Sequence, residues 1–62
     1  MKDLKLLRFK KDLSLRELSE FVGIPATNLW RYETGKIVPD FYSYKKLMKF
    51  YGYEVKTTKK VN

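Results

Sequence analysis

The sequence predicts an all-α domain of four short helices, followed by a C-terminal tail. Apolar residues recur at three- and four-residue intervals in four segments, and turn-forming residues separate these segments. The chain has 62 residues, a length that fits one domain and buries only about 60% of the surface of the unfolded chain. We therefore predict one domain over residues 1–52 and a tail over residues 53–62.

The first helix is predicted over residues 3–11. Four side chains share one of its faces at the spacing i, i+3, i+4 and i+7: Leu4, Leu7, Arg8 and Lys11. Leu6 and Phe9 lie on the opposite face, where together they would form an exposed apolar patch. We expect either the tail around Tyr53 and Val55 or a second subunit to cover this patch.

The second helix is predicted to begin after Ser14 and to end at Gly23. Ser14 and Glu17 have the spacing of a capping box, in which the hydroxyl accepts a backbone N–H and the carboxylate reaches back to the cap. Glycine is the residue best able to adopt the left-handed conformation that follows a helix. The residues predicted to face inward are Leu15, Leu18 and Val22.

The third helix is predicted from Pro25 to about Glu33, with Thr34 and Gly35 ending it. Proline suits the first helical position because its missing N–H costs nothing there. A rotation of about 100° per residue separates the side chains of this helix into two faces. The inward face carries Pro25, Leu29 and Tyr32. The outward face carries Ala26, Thr27, Trp30 and Arg31.

The fourth helix is predicted to follow Pro39, with Asp40 as its N-cap, and to end at Gly52. Its inward stripe is predicted to consist of Phe41, Tyr44, Leu47, Met48 and Tyr51. In the tail, the strand-favouring residues Tyr53, Val55 and Thr57 alternate with charged residues. This alternation is typical of a short strand or an ordered extended segment. A short strand would make the tail a fifth element of the fold.

The chain is strongly basic, and the excess is concentrated in its second half. Fourteen Lys and Arg residues stand against seven Asp and Glu residues, a net charge of +7. Residues 1–33 carry seven positive and five negative side chains, net +2, whereas residues 34–62 carry seven and two, net +5. An excess of this size on so small a domain favours a polyanionic partner over a merely solvated surface.

Several functional classes are excluded by residues that the sequence lacks. Without cysteine or histidine, the chain has no thiolate or imidazole to bind zinc and no histidine for a catalytic triad. It also has no Gly-rich phosphate loop. We therefore predict a protein that is not an enzyme, with no catalytic residue, no metal and no cofactor. Because no apolar run is long enough to span a membrane and no segment near Met1 resembles an export signal, we expect a cytoplasmic protein without a membrane partner.

The two central helices form a pattern typical of a helix-turn-helix: two short helices joined by a tight turn that contains glycine. Three runs of sequence, followed by an apolar helix, resemble the phage repressor and Cro type of helix-turn-helix domain, also called the XRE family: LKLLR, SLRELSEFVGI and LWRYETGKIVP. The resemblance covers residues 4 to about 51 and implies a lambda-repressor-like fold. Its most specific matches are Arg8, Leu18, Gly23, Leu29, Glu33, Gly35, Lys36 and Pro39.

The resemblance also implies roles for individual residues. It places Arg8 and Glu33 in a structural ion pair. It places the DNA base contacts at Ala26, Thr27 and Arg31, and we predict Trp30 as a fourth contact, packing on a sugar or a thymine methyl. The phosphate contacts are predicted at Ser14, Asn28 and Lys36. Because Ala26 and Thr27 are short, we expect sparse direct readout and a larger contribution from DNA shape.

The resulting hypothesis is a sequence-specific transcriptional regulator of the repressor or Cro type, which binds double-stranded DNA with residues 25–33 in the major groove. We expect a homodimer on a palindromic operator. The predicted dimer or tail-packing surface comprises Leu6, Phe9, Tyr53 and Val55. An alternative is a protein-interaction module of the same fold, which binds a repressor or toxin partner through exposed aromatic residues, including Phe21 and Trp30.

Overall fold

A computed structural model describes residues 3–55 of the chain. Within them lie four α-helices and no strand: α1 (Leu4–Lys10), α2 (Leu15–Val22), α3 (Ala26–Glu33) and α4 (Phe41–Phe50). The predicted all-α fold of four helices is therefore confirmed. The predicted strand is not found in residues 53–55, and the remainder of the tail, with Thr57, lies outside the described residues. No helix among residues 3–55 is long and apolar enough to cross a membrane.

The starts of α1 and α2 are set by side chains that bind free backbone N–H groups. An Asp3 carboxylate oxygen accepts the N–H of Leu6 at 3.1 Å. At α2 the predicted capping box is present: Ser14 Oγ accepts the Glu17 N–H at 3.1 Å, and Glu17 Oε1 accepts the Ser14 N–H at 2.9 Å. Both arrangements satisfy donors that have no partner within the helix.

Three helices end in a Schellman motif, in which a residue of positive φ turns the chain and two N–H groups bind carbonyls of the last turn. Glycines occupy this position after α3 and α4, with φ of 77° at Gly35 and 91° at Gly52. After α1 the position is taken by Asp12 at φ 58°, and the Leu13 N–H donates to the Arg8 carbonyl at 3.3 Å. Short polar residues tolerate this conformation best after glycine.

The core is shared by all four helices. The α3 helix packs on α2 and α1, whereas α4 packs on α2. The fully buried side chains at the centre are Leu18, Leu29, Leu47 and Met48. Around them lie Leu4, Val22, Ile24 and Tyr32. The predicted inward residues of α2 and the Leu29 and Tyr32 positions of α3 are therefore confirmed, although Leu15 is only partly buried.

Pro25 was expected in the helix and facing inward, and both expectations are wrong. The α3 helix begins at Ala26, and Pro25 is its N-cap residue, with φ −54° and ψ 139°. Its side chain is exposed, because the preceding Ile24 occupies the buried site between the helices. The Pro25 carbonyl still accepts the Leu29 N–H at 3.0 Å, so proline begins the helix without belonging to it.

The inward position predicted for Phe41 is also wrong. Phe41 is 50% exposed, and its ring lies against Tyr42, with a centroid separation of 6.5 Å. As the first residue of α4, it lies about 9 Å along the helix axis from Leu47, so it is beyond the centre of the core. The N-cap of α4 is Asp40, as predicted, but its carboxylate accepts the Ser43 hydroxyl at 2.6 Å and caps no backbone N–H.

Candidate nucleic-acid interface

The α3 helix has one face buried in the core and the opposite face exposed. Leu29 and Tyr32 are buried, and they fix the rotation of the helix about its axis. Thr27, Trp30 and Arg31 are exposed on the other side, with Trp30 at 44%. Ala26 is half-buried. The structure thus places the predicted base-contact residues along one side of one rigid helix, with Ala26 the least accessible of them.

The C-terminal end of α3 is tied to α1 by an ion pair between Arg8 and Glu33. Arg8 Nε lies 2.7 Å from Glu33 Oε2, and Arg8 Nη2 lies 2.9 Å from Glu33 Oε1, so the pair is bidentate. The remaining Arg8 Nη1 donates to the Leu13 carbonyl at 2.8 Å. The side chains are 9% and 5% exposed. The hydrogen bonding of Arg8 to the Glu33 carboxylate is the main factor that raises the pKa of Arg8, and a buried, bidentate pair of this kind holds two helices in one arrangement.

Tyr51 lies close to this ion pair. Burial and, to a smaller extent, the charge of Glu33 raise the pKa of the Tyr51 phenol to about 12, against a lowering effect of the charge of Arg8. The Tyr51 hydroxyl is buried, and no group among residues 3–55 forms a hydrogen bond with it. The ring packs against the core, while its hydroxyl adds a desolvation cost.

The N-terminal end of α3 has no side-chain cap. Pro25 stands at the N-cap position and its side chain carries no acceptor. The first N–H groups of the helix, on Ala26, Thr27 and Asn28, therefore lack a partner within the helix and a side-chain cap. Unpaired N–H groups and the positive end of the helix dipole together favour an anion. Asn28 is half-buried in this first turn.

At the other end of α3, the structure brings Trp30 and Lys36 together. The Lys36 N–H donates to the Arg31 carbonyl at 2.9 Å, which fixes the backbone of the turn. The Lys36 Nζ atom then lies 5.8 Å from the centroid of the Trp30 ring. Thr34 Oγ1 donates to the Trp30 carbonyl at 2.9 Å. An ammonium group above an indole ring is attracted by its π-electrons, so Lys36 is held beside the exposed face of α3.

At the start of α2, the capping box already occupies the hydrogen-bonding groups of Ser14. Ser14 is exposed, but its oxygen and backbone N–H are both engaged with Glu17. These hydrogen bonds, the backbone one first, lower the pKa of the Glu17 carboxyl. A phosphate at this position would therefore meet the Ser14 hydroxyl as a donor and the Glu17 carboxylate as a repulsive neighbour.

The four residues of the predicted dimer surface are not equivalent. Leu6 and Phe9 are 49% and 55% exposed, and the Phe9 ring is flanked by Arg8, with Cζ 5.0 Å from its centroid. Val55 packs against the core. The Tyr53 side chain is exposed, whereas its N–H donates to the Met48 carbonyl at 2.8 Å. Leu6 and Phe9 are therefore about half exposed, whereas Val55 is partly buried against the core.

Two features of this surface were missed by the sequence analysis. The uncapped start of α3 could have been found, because proline has no side-chain acceptor. The contact between Trp30 and Lys36 could not, because it depends on the turn that Gly35 makes rather than on helical spacing. Among residues 3–55 no group of three or more acidic, His or Cys side chains is arranged to hold a metal ion.

Comparison with known proteins identifies the family. Neither the curated proteins nor the solved structures include a match to the chain. The family described as "Helix-turn-helix domain" matches residues 3–57, which is most of the 62-residue chain. That span contains the four helices, the ion pair and the exposed face of α3. The chain therefore belongs to the helix-turn-helix domain family of DNA-binding domains.

Proposed function

We propose that the chain is a sequence-specific transcriptional regulator, of the repressor or Cro type, that binds double-stranded DNA with α3 in the major groove. The exposed face of α3 carries this proposal, because three side chains suited to base edges and sugars project from a helix whose other face is fixed in the core: Thr27, Trp30 and Arg31. Ala26, at the start of that face, lets the backbone approach the bases closely.

In this proposal the residues of the interface divide into two groups. Arg31 donates to a guanine edge in a bidentate pair, while Ala26, Thr27 and Trp30 make apolar contacts with thymine methyls and sugars. Phosphates are bound by Ser14, Asn28 and Lys36, together with the uncapped N–H groups at the start of α3. Lys36 is the best supported of the phosphate contacts, because its ammonium group lies against Trp30 at the edge of the exposed face.

The experiment that tests the proposal is a selection of bound sequences from a random pool of DNA duplexes, at moderate salt concentration. We expect a palindrome, whose two halves lie about one helical turn apart if the chain binds as a homodimer. Sedimentation of the recovered duplex with the protein then gives the stoichiometry, and two chains per duplex are expected. If no sequence is enriched over bulk DNA, sequence-specific regulation is wrong.

A single substitution separates specific from general binding. We expect Arg31→Ala to lower the affinity for the selected duplex by about 1 to 3 kcal/mol and to leave the affinity for a scrambled duplex nearly unchanged. Fluorescence anisotropy with both duplexes measures the two affinities. The matched control is Arg16→Ala, which removes the same charge from an exposed position of α2. Equal losses for the two duplexes would contradict a base contact at Arg31.

A second candidate function is a protein-interaction module of the same fold. It is favoured by the exposure of large apolar side chains on three helices: Leu6, Phe9, Phe21 and Trp30. Under this alternative the partner is a repressor or a toxin. A pulldown with the purified chain would recover a stoichiometric protein, and binding to DNA would show neither sequence preference nor sensitivity to Arg31→Ala.

A further inference from the structure

The outward face of α4 forms a continuous basic stripe. Leu47 and Met48 face the core and are fully buried. The exposed side carries four residues at the spacing i, i+3, i+4 and i+7: Tyr42, Lys45, Lys46 and Lys49. No acidic residue occurs within α4 (Phe41–Phe50), so neighbouring turns of the helix do not neutralise these lysines.

An aromatic pair, of which Phe21 is exposed and Phe50 half-buried, borders this stripe. Phe21, in the last turn of α2, is 66% exposed, and its ring centroid lies 5.3 Å from that of Phe50. The two rings, with Val22, Lys46 and Lys49, line an open groove of about 320 Å³. The groove is therefore lined by apolar side chains from α2 and by the Phe50 ring and two ammonium groups from α4.

The groove continues along the helix. A second groove, of about 230 Å³, lies between Tyr42 and the three lysines. A third, of about 510 Å³, lies between Lys45, Lys49 and the segment that follows α4. Lys49 lines all three grooves, and Lys45 and Lys46 each line two of them, so the grooves form one surface along α4. Glu54, at its far end, is the only carboxylate that lines any of them.

We propose that this α4 surface binds an acidic, amphipathic segment of a partner protein. An apolar side chain of that segment occupies the groove beside Phe21 and Phe50, and its carboxylates lie along Lys45, Lys46 and Lys49. The complementarity of charge selects an acidic partner, and the aromatic wall selects one that also presents an apolar side chain. A phosphate backbone would satisfy the lysines but leave the aromatic wall exposed.

The position of this surface leaves the proposed DNA contacts free. Phe21 is in the last turn of α2, about 10 Å along the axis from the helix start at Ser14. The α4 helix packs on α2, whereas the exposed residues of α3 lie on the side of that helix away from α2 and α1. A partner on α4 could therefore be held by the domain while α3 binds DNA. This inference does not depend on the proposed function, since the surface would bind a protein whether or not DNA is bound.

The test is a titration of the isotopically labelled full chain, followed by NMR, with a synthetic peptide. The peptide has about 15 residues, so that it spans α4 as a helix, with Leu and Phe on one face and Glu on the other. A scrambled peptide of the same composition is the control ligand. We expect saturable shifts at Phe21, Lys46, Lys49 and Phe50, and binding of the scrambled peptide at least about tenfold weaker.

Variants of the chain make the test specific. Lys46→Glu with Lys49→Glu should weaken peptide binding at least about tenfold, and Phe21→Ser should weaken it severalfold. The matched control, Lys5→Glu with Lys10→Glu, makes the same change in charge on α1 and should leave peptide affinity within about twofold. All these positions are exposed, and circular dichroism checks that the helices are retained.

Three results would overturn the proposal. One is equal affinity for the amphipathic and the scrambled peptide, which would mean attraction by net charge alone. Another is an equal loss of binding in the α4 and α1 double variants. The third is a loss of affinity for duplex DNA, with peptide affinity unchanged, in the Lys46→Glu and Lys49→Glu variant, since this would make the α4 surface a phosphate contact.

Discussion

The ion pair of Arg8 and Glu33 joins two helices that are far apart in the sequence. Each of the three guanidinium nitrogen atoms has an acceptor. Nε and Nη2 bind the two oxygens of Glu33, and Nη1 binds the Leu13 carbonyl. Removing one partner from a buried pair leaves a charge that has lost its solvent as well as its counter-ion. The two residues are therefore expected to matter more for folding than any surface pair.

The first prediction concerns this pair. Arg8→Ala and Glu33→Gln should each lower the free energy of unfolding by about 3 kcal/mol, measured by urea denaturation. The total free energy of unfolding of a domain of this size is only about 3 to 5 kcal/mol, so a large fraction of each variant should be unfolded. The double variant Arg8→Met with Glu33→Leu replaces both charges by apolar groups and should lose less than either single variant. Losses below about 1 kcal/mol in both single variants would contradict a buried pair.

The second prediction concerns Tyr51. Its hydroxyl is buried without a hydrogen-bond partner among the described residues, so Tyr51→Phe removes an unsatisfied polar group and keeps the ring that packs against the core. We expect the free energy of unfolding to rise, by up to about 1 kcal/mol. Tyr42→Phe, at an exposed position of α4, is the control and should change little. A clear destabilisation by Tyr51→Phe would show that the hydroxyl has a partner.

At the scale of the element, the start of α2 makes folding sensitive to acid. The Ser14 hydrogen bonds hold the pKa of Glu17 below its ordinary value. A carboxyl whose pKa is lowered in the folded state contributes stability above its ordinary pKa, and this contribution is lost as the pH falls through the folded value. Acidification should therefore loosen α2 and, with it, the domain.

The third prediction follows from this loss of stability at low pH. Glutamine also completes a capping box but does not titrate, so Glu17→Gln should lose less thermal stability than the parent chain between about pH 6 and about pH 3. Thermal unfolding followed by circular dichroism measures the difference. Glu20→Gln, on the exposed part of the same helix and outside the cap, should behave as the parent does. An acid loss as large in Glu17→Gln as in the parent chain would rule out this role for the cap.

At the scale of the whole molecule, the fourteen cations should make binding to DNA strongly dependent on salt, because bound phosphates release their counter-ions. Lys36→Ala should weaken binding to all duplexes similarly and reduce the slope of log affinity against log salt by about one unit. A salt titration with the selected and the scrambled duplex measures both effects. An unchanged slope, or the same change in Lys10→Ala on α1, would contradict a phosphate contact at Lys36.

The sequence predicted the helices well, because their starts and ends depend on local chemistry. The capping box of Ser14 and Glu17 and the glycines at positions 23 and 35 act within a few residues of one another, so spacing is enough to find them. The errors at Pro25 and Phe41 have different causes. Pro25 precedes the helix as its N-cap, so helical spacing does not give the direction of its side chain. At Phe41, helical spacing gives the direction of the side chain but not the extent of the neighbouring helices, which decides whether that side chain is covered.

The candidate site was predictable to the extent that it follows from the rotation of α3. The burial of Leu29 and Tyr32 determines that Thr27, Trp30 and Arg31 are exposed. Which of these residues touches a base depends on the path of the DNA, so their roles stay predictions. The aromatic pair of Phe21 and Phe50 was not predicted, since it joins two helices whose relative placement is set by the core.

The anchoring of α3 has a consequence for how such a domain could diversify. The residues that hold this helix face the core or α1, and none of them belongs to its exposed face: Leu29, Tyr32 and Glu33. Thr27, Trp30 and Arg31 can therefore be exchanged among related chains with little effect on folding. A lineage could acquire a new binding sequence through a few substitutions, and grafting these three residues onto a scaffold with the same anchor should transfer the preference.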